Sequence, residues 1–268
     1  MSYQSELSRP SPVEAYSSGI SGSAWLLFIG AVLVIGSIWY LIANPGLGGV
    51  FAVLGAWIIA GVLGFIGFVA ISNSLKVERL RLAAHMLRSL SLHAVLAYQK
   101  NSNEALQLVG EAEHREKGFI IRMFRAAGAN VEQAFAEGVV DGIRRASEPP
   151  YILVYRNGVL DAPSTLIANL TARGFGAAFG VIAFILLGLV MLAVSIILSA
   201  VLIYTTGRAL RAHATRENKV REILGLPRVP TEAPGIGGLV ASILTAGLYL
   251  PMYARKLAKN IDMHIHTH

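Results

Sequence analysis

The stretch Leu47–Ile71, LGGVFAVLGAWIIAGVLGFIGFVAI, runs for 25 residues without an Asp, Glu, Lys, Arg or His. A helix needs about 20 apolar residues to cross the roughly 30 Å hydrocarbon core of a bilayer, so this stretch is long enough to be a membrane span. Just upstream, Asn44-Pro45-Gly46 is a turn signal, and before it Ala24–Ala43 is a second uncharged run of 20 residues. The two predict a tight transmembrane hairpin. Trp25, Trp39 and Tyr40 fall near the ends of the first span, at the level where amphipathic rings favour the headgroups.

Two further uncharged stretches follow, Gly174–Thr206 with 33 residues and Gly235–Tyr253 with 19. The four stretches gather the apolar residues, and all 39 charged residues lie outside them. The 15% charged share is therefore a dilution by membrane segments, since an average soluble domain carries about 25%. The fold expected is an all-α polytopic membrane protein with four transmembrane helices and a mainly helical cytosolic domain. With no cysteine in the chain, a disulfide scaffold, a zinc–cysteine site and a cysteine nucleophile are excluded.

Seven segments follow from this. Residues 1–23 are Ser-, Pro- and Gly-rich and predict a mobile tail; 24–71 form the hairpin; 72–173 form the cytosolic domain. Within that domain Leu80, Ala83, Leu87, Leu90, Ala94 and Ala97 recur every three or four residues, which predicts an amphipathic stalk continuing the second span. Asn103 opens a helix over 104–116, and Asn130 with Gln133 opens another over 131–145. Tyr151–Tyr155 predicts a strand, and with the Asn157-Gly158 turn signal a β-hairpin. Residues 174–206 predict one long tilted helix, 207–234 a basic helical extension and loop, 235–253 a fourth transmembrane or re-entrant helix, and 254–268 a basic, His-containing tail.

Lys and Arg mark the cytoplasmic side. The N-terminal tail has one, 73–173 has thirteen, 207–234 has six and 254–268 has three. With four crossings and a cytosolic N-terminus, 17 lie inside and six outside, which predicts a cytoplasmic-membrane protein in that orientation. The six outside conflict with the rule unless 235–253 re-enters.

No ionisable residue falls inside a stretch, which argues against a proton-coupled carrier. Small residues are abundant instead: Ala52, Ala56, Ala60 and Gly64 repeat every fourth position, and Gly176 with Gly180 repeats the spacing. Such a ridge lets helices approach closely in lipid, either within the chain or against copies and partner subunits. Lys76, Arg79, Arg81, Arg208, Arg211, Arg255 and Lys256 flank membrane ends and are expected to meet anionic headgroups. No module or concentrated basic face points to nucleic acid. His264, His266 and His268 alternate, as a metal site could use, but no nearby cluster completes one; they are assigned to a solvated tail. His85 and His93 are assigned to a helix surface. No metal, cofactor or catalytic signature emerges, so the expectation is a non-catalytic membrane subunit or scaffold, a homo-oligomer or part of a larger complex. A channel or transporter subunit is an alternative.

Two segments resemble known families. Ile243-Leu-Thr-Ala-Gly-Leu-Tyr249 and the following 253–260 resemble the last helix of a family of uncharacterised prokaryotic small multi-pass membrane proteins, whose Thr-x-Gly-aliphatic-Tyr pattern is met by Thr245, Gly247, Leu248 and Tyr249. That resemblance implies no activity. Ala127-Gly-Ala-Asn-Val-Glu-Gln-Ala-Phe135 is similar to a helix start in the inner-membrane platform proteins of type II secretion and type IV pilus systems, with Phe135 in place of the usual Leu. This implies a platform whose cytosolic domain binds an assembly ATPase.

Overall fold

The computed structural model describes residues 3–145, 147–175 and 188–267, and among them every regular element is helical. Two short helices, α1 (Tyr3–Leu7) and α2 (Pro12–Ala15), precede the hairpin of α3 (Ile20–Ala43) and α4 (Leu47–Gln99). The extramembrane domain adds α5 (Asn103–Ala126), a 3₁₀ turn at Gln133–Phe135, α6 (Val139–Arg144), α7 (Pro150–Arg156) and α8 (Pro163–Phe175). The chain ends with α9 (Gly188–Ile223), α10 (Ile236–Leu244) and α11 (Leu250–His266).

The spine is α4. Its 53 residues extend roughly 80 Å at 1.5 Å per residue, more than twice the thickness of a hydrocarbon core. Ile58, Ile59 and Ile66 in the apolar half are exposed, as side chains facing lipid are. From Leu80 to Val95 every residue is buried, because α1, α2, α5 to α8, α9 and α11 surround this half on all sides. α9 runs parallel to α4: Gly188 sits against Gly61, Leu192 against Gly64, and the Arg79 side chain donates to Thr206 Oγ1 at 2.9 Å. α3 runs antiparallel to both, with Leu27 against Gly67 and Gly30 against Ala60. A Cβ on Gly61 would lie 2.4 Å from the Gly188 Cα, so the glycines set the distance between α4 and α9.

Three helical stretches, not four, are long and apolar enough to cross a membrane: the one ending at Ala43, then Leu47–Gln99 and Gly188–Ile223. The expected fourth span is broken. α10 has nine residues, about 14 Å of helix, less than half of a crossing. Ala246 (φ 49°) and Gly247 (φ 93°) then reverse the chain, and the returning Tyr253 donates its hydroxyl to the Gly235 carbonyl at 3.0 Å. The tip keeps its backbone satisfied: Ala246 N–H donates to Ile243 O, Gly247 N–H to Ser242 O, and Tyr249 N–H to Thr245 Oγ1. Residues 235–253 thus form a helical hairpin rather than one crossing helix, and α9's basic continuation, the 224–235 loop and α11 all lie beside the extramembrane half of α4.

Other expectations are also corrected. Among the described residues there is no strand, and the segment expected as a β-hairpin at 151–160 is α7 and a turn. Pro150 occupies the first helical turn, where its missing N–H costs nothing. Tyr151, Ile152 and Val154 are buried, and Gly158 at φ 73° closes a helix end rather than a hairpin. Gly138 (φ 78°) divides the helix expected over 131–145 into the 3₁₀ turn and α6. The N-terminal tail is docked, not solvated: Leu7, Val13 and Glu14 are no more than 1% exposed. The C-terminal tail is helical to His266, with Leu257, Ile261 and His264 inward. Gly176 and Gly180, and the first part of the expected 174–206 helix, lie outside the described residues.

Candidate metal centre

Where α4, α9 and α11 converge above the membrane, they bring together His85, His213, Glu217 and His264. α4 supplies His85. α9 supplies His213 and Glu217, four apart and hence on one helical face. α11 supplies His264 from the apolar side that also buries Leu257 and Ile261. All four are at most 4% exposed, and one potential ligand atom from each lies within 4.8 Å of the others. Glu217 Oε2 is 3.4 Å from His213 Nε2 and 3.2 Å from His264 Nε2. A tetrahedral ion with bonds of about 2.0–2.1 Å places its ligand atoms roughly 3.3–3.4 Å apart, so two edges of that tetrahedron already have their length. The three rings sit 4.9–5.6 Å apart, centroid to centroid, with planes inclined at 72–88°.

Behind the rings is an outer layer that orients them. His213 Nδ1 lies 3.1 Å from both Glu116 carboxylate oxygens, and Arg216 holds Glu116 through Nε at 2.8 Å and a terminal nitrogen at 2.7 Å. His85 Nδ1 lies 3.3 Å from Glu14 Oε1, which accepts from Arg88 Nε at 2.7 Å. Arg88 also lies 3.1 Å from His85 Nδ1 and donates to the Ile265 carbonyl at 3.1 Å; because a guanidinium only donates, the Nδ1–H tautomer that would leave His85 Nε2 for a metal requires Nδ1 to turn from Arg88 to the Glu14 carboxylate. The Pro230 backbone hydrogen-bonds His264. Arg221 donates to Glu217 Oε1 at 3.2 Å, leaving Oε2 directed at the rings. Histidine ligands whose second nitrogen is held by a carboxylate or carbonyl are the usual outer shell of a metal site.

The electrostatics differ between the histidines: those of His264 favour the neutral ring a metal needs, and those of His213 favour the charged ring in the absence of metal. Burial opposes ionisation of Glu116, but His213 and Arg216 outweigh it and hold the carboxyl below its ordinary value. Burial also disfavours the charged form of His213, yet Glu116 and Glu217 raise its pKa. At His264 burial wins, assisted by His213, and the pKa falls, which favours the neutral ring that a metal needs. Glu14 and Arg88 are essentially unexposed; burying a charged pair is costly without compensating bonds, and both here serve His85. Three imidazoles and one carboxylate suit zinc and its borderline divalent neighbours rather than the oxygen-seeking magnesium or calcium.

His85, assigned from sequence to a helix surface, and His264, assigned to a solvated tail, are therefore both interior; His93 is buried about two turns beyond His85 on α4, 3.9 Å from Glu217 Oε1. The sequence reading missed His213, Glu217 and the outer carboxylates altogether. Its available local signal was the His213-x-x-x-Glu217 spacing. Arg81 is not at a headgroup position: it is buried and pairs with Glu78 at 2.9 Å and Asp262 at 2.5 Å. Arg79 bonds α9, Lys76 bonds Asn73, and Arg208, Arg211, Arg255 and Lys256 are exposed, with Arg211 also donating to the Ala233 carbonyl. Ala60 and Gly64 are buried within the chain, whereas Ala52 is exposed and Ala56 partly so. No family model, curated protein or solved structure matches the chain.

Proposed function

We propose that this is a non-catalytic integral membrane protein whose extramembrane domain is closed by one bound divalent transition-metal ion, zinc foremost. The observation that carries the reading is the convergence of His85, His213, Glu217 and His264 from three helices, each histidine backed by its own partner. Four protein ligands in a buried position make a closed set, the signature of structural rather than catalytic sites. The ion ties together the extramembrane ends of two membrane helices and the re-entrant hairpin, a role suited to a rigid subunit or scaffold. Every one of the 23 Lys and Arg residues lies in segments on the metal-centre side of the spans. The positive-inside rule then supports a cytoplasmic-membrane protein with N-terminus, metal centre and α11 in the cytosol, and exposed Arg208, Arg255 and Lys256 available to anionic lipid.

Metal analysis of detergent-purified protein tests the reading. One zinc per chain is expected in the wild type, with His264→Ala and Glu217→Gln reduced well below that while remaining membrane-inserted. A metal-free wild type that takes up zinc no more tightly than His264→Ala overturns it.

A further inference from the structure

A buried ion needs a path to its ligands, and the long helices around this centre are poor candidates for opening. α4 and α9 continue into the apolar spans, α5, which sets Glu116 behind His213, is pinned by eight buried residues, and α11 is pinned by nine. Beside the 224–235 loop, which meets His264 through Pro230, the remaining wall is the N-terminal segment, residues 3–15. It consists of helices of five and four residues, too short to persist alone, and its buried apolar side chains are Leu7 and Val13. Its other attachments are polar: Arg88 to the Leu7 carbonyl, Arg81 to the Glu14 carbonyl, and Val13 N–H to the Leu160 carbonyl. A cleft of about 220 Å³ separates Glu6, Arg9 and Pro10 of this segment from Tyr151 and Tyr155 of α7. Gly19, at φ 63° with open space around it, lies between the segment and α3.

We propose that residues 3–15 are the gate of the metal centre, swinging about the Ser17–Gly19 joint to admit or release the ion, and that Glu14 is a positioning residue whose arrival completes the outer shell of His85. The inference rests on the metal reading above. When the segment lifts, His85 loses Glu14 and keeps its Arg88 contact at Nδ1; when it closes, the Glu14 carboxylate competes with Arg88 for Nδ1 and favours the ring with Nε2 inward. Loading and docking are then one event, because the segment that covers the site also sets one of its ligands.

The test uses the full chain, which lacks native cysteine, loaded with zinc and challenged with an excess of a chromogenic chelator. Val13→Cys with Leu160→Cys, at positions whose backbones are already bonded at 3.3 Å, clamps the segment when oxidised. Slower zinc release by at least about tenfold in the oxidised protein, restored by reductant, is expected, together with faster release from Leu7→Ala at unchanged stoichiometry. One zinc per chain with equal release rates in the oxidised, reduced and Leu7→Ala proteins overturns the gate and leaves the metal centre standing. Absence of zinc from the wild type overturns both.

Discussion

At Glu217 the two carboxylate oxygens face different partners, Oε1 toward Arg221 and Oε2 toward the rings of His213 and His264. This division makes the metal-free and loaded proteins respond oppositely to pH. Without metal, His213 has a pKa raised above 6.5, so its stabilising charge is fully present below about that pH and is lost as pH rises through the raised value. With zinc the ring must be neutral, so zinc affinity climbs through the same window while the metal-free protein weakens. Thermal unfolding from pH 6 to 9, with and without zinc, should show the two curves diverging; parallel curves would contradict the assignment of His213 as a ligand. Histidine at 264 also shows why the site escaped the sequence. Its neighbours 266 and 268 suggested an extended alternation, whereas in helix α11 the relevant period is set by Leu257, Ile261 and His264.

Among the elements, the 235–253 hairpin is held by a hydroxyl. Thr245 Oγ1 donates to the Ala241 carbonyl at 2.7 Å and accepts from Tyr249 N–H at 3.1 Å. Thr245→Val removes both bonds and, on the proposed re-entrant reading, leaves them unreplaced by water, which should cost about 1–3 kcal/mol, read as a lower unfolding temperature in lipid nanodiscs. In α4, Gly61→Ala drives a methyl into the Gly188 backbone and should cost about 1–3 kcal/mol; Ala52→Leu, on the exposed face, should cost little by the same assay. The long apolar runs were legible because crossing a bilayer demands length and apolarity that sequence displays directly. The 235–253 run met the same length, but Gly247 and the Thr245 bonds break it into a hairpin, a decision made by turn chemistry rather than hydropathy. Tyr151–Tyr155 failed for the reverse reason: five strand-prone residues were read alone, while Pro150 in front and the buried face against α4 made them helical.

Across the whole molecule, the proposed topology, with residues 235–253 re-entrant, puts every basic segment on one face and the Asn44-Pro45-Gly46 turn on the other among the described residues. Single cysteines in this cysteine-free chain give a direct check. Cysteine at Arg228 should react with an impermeant maleimide from the same side as cysteine at Lys100, and cysteine at Asn44 from the opposite side. Labelling of position 228 with position 44 would restore a fourth crossing. The domain's helical content was partly legible, since the run from Ser72 to Ala97 has no Gly or Pro to stop α4. Its centre was not, because the ligands come from three distant helices and no local pattern spans them.

Glu14 and His264 lie 250 positions apart in the chain, and that has a consequence for biosynthesis. α3, α4 and α9 can enter the bilayer as each emerges from the ribosome, but the four-ligand set does not exist until residue 264 has been translated. A nascent or truncated chain therefore carries His85, His213 and Glu217 without their last partner, in a domain that has not closed. On the proposed metal reading, ion capture then reports that the polypeptide through residue 264 has been made and that α11 has packed against α4 and α9.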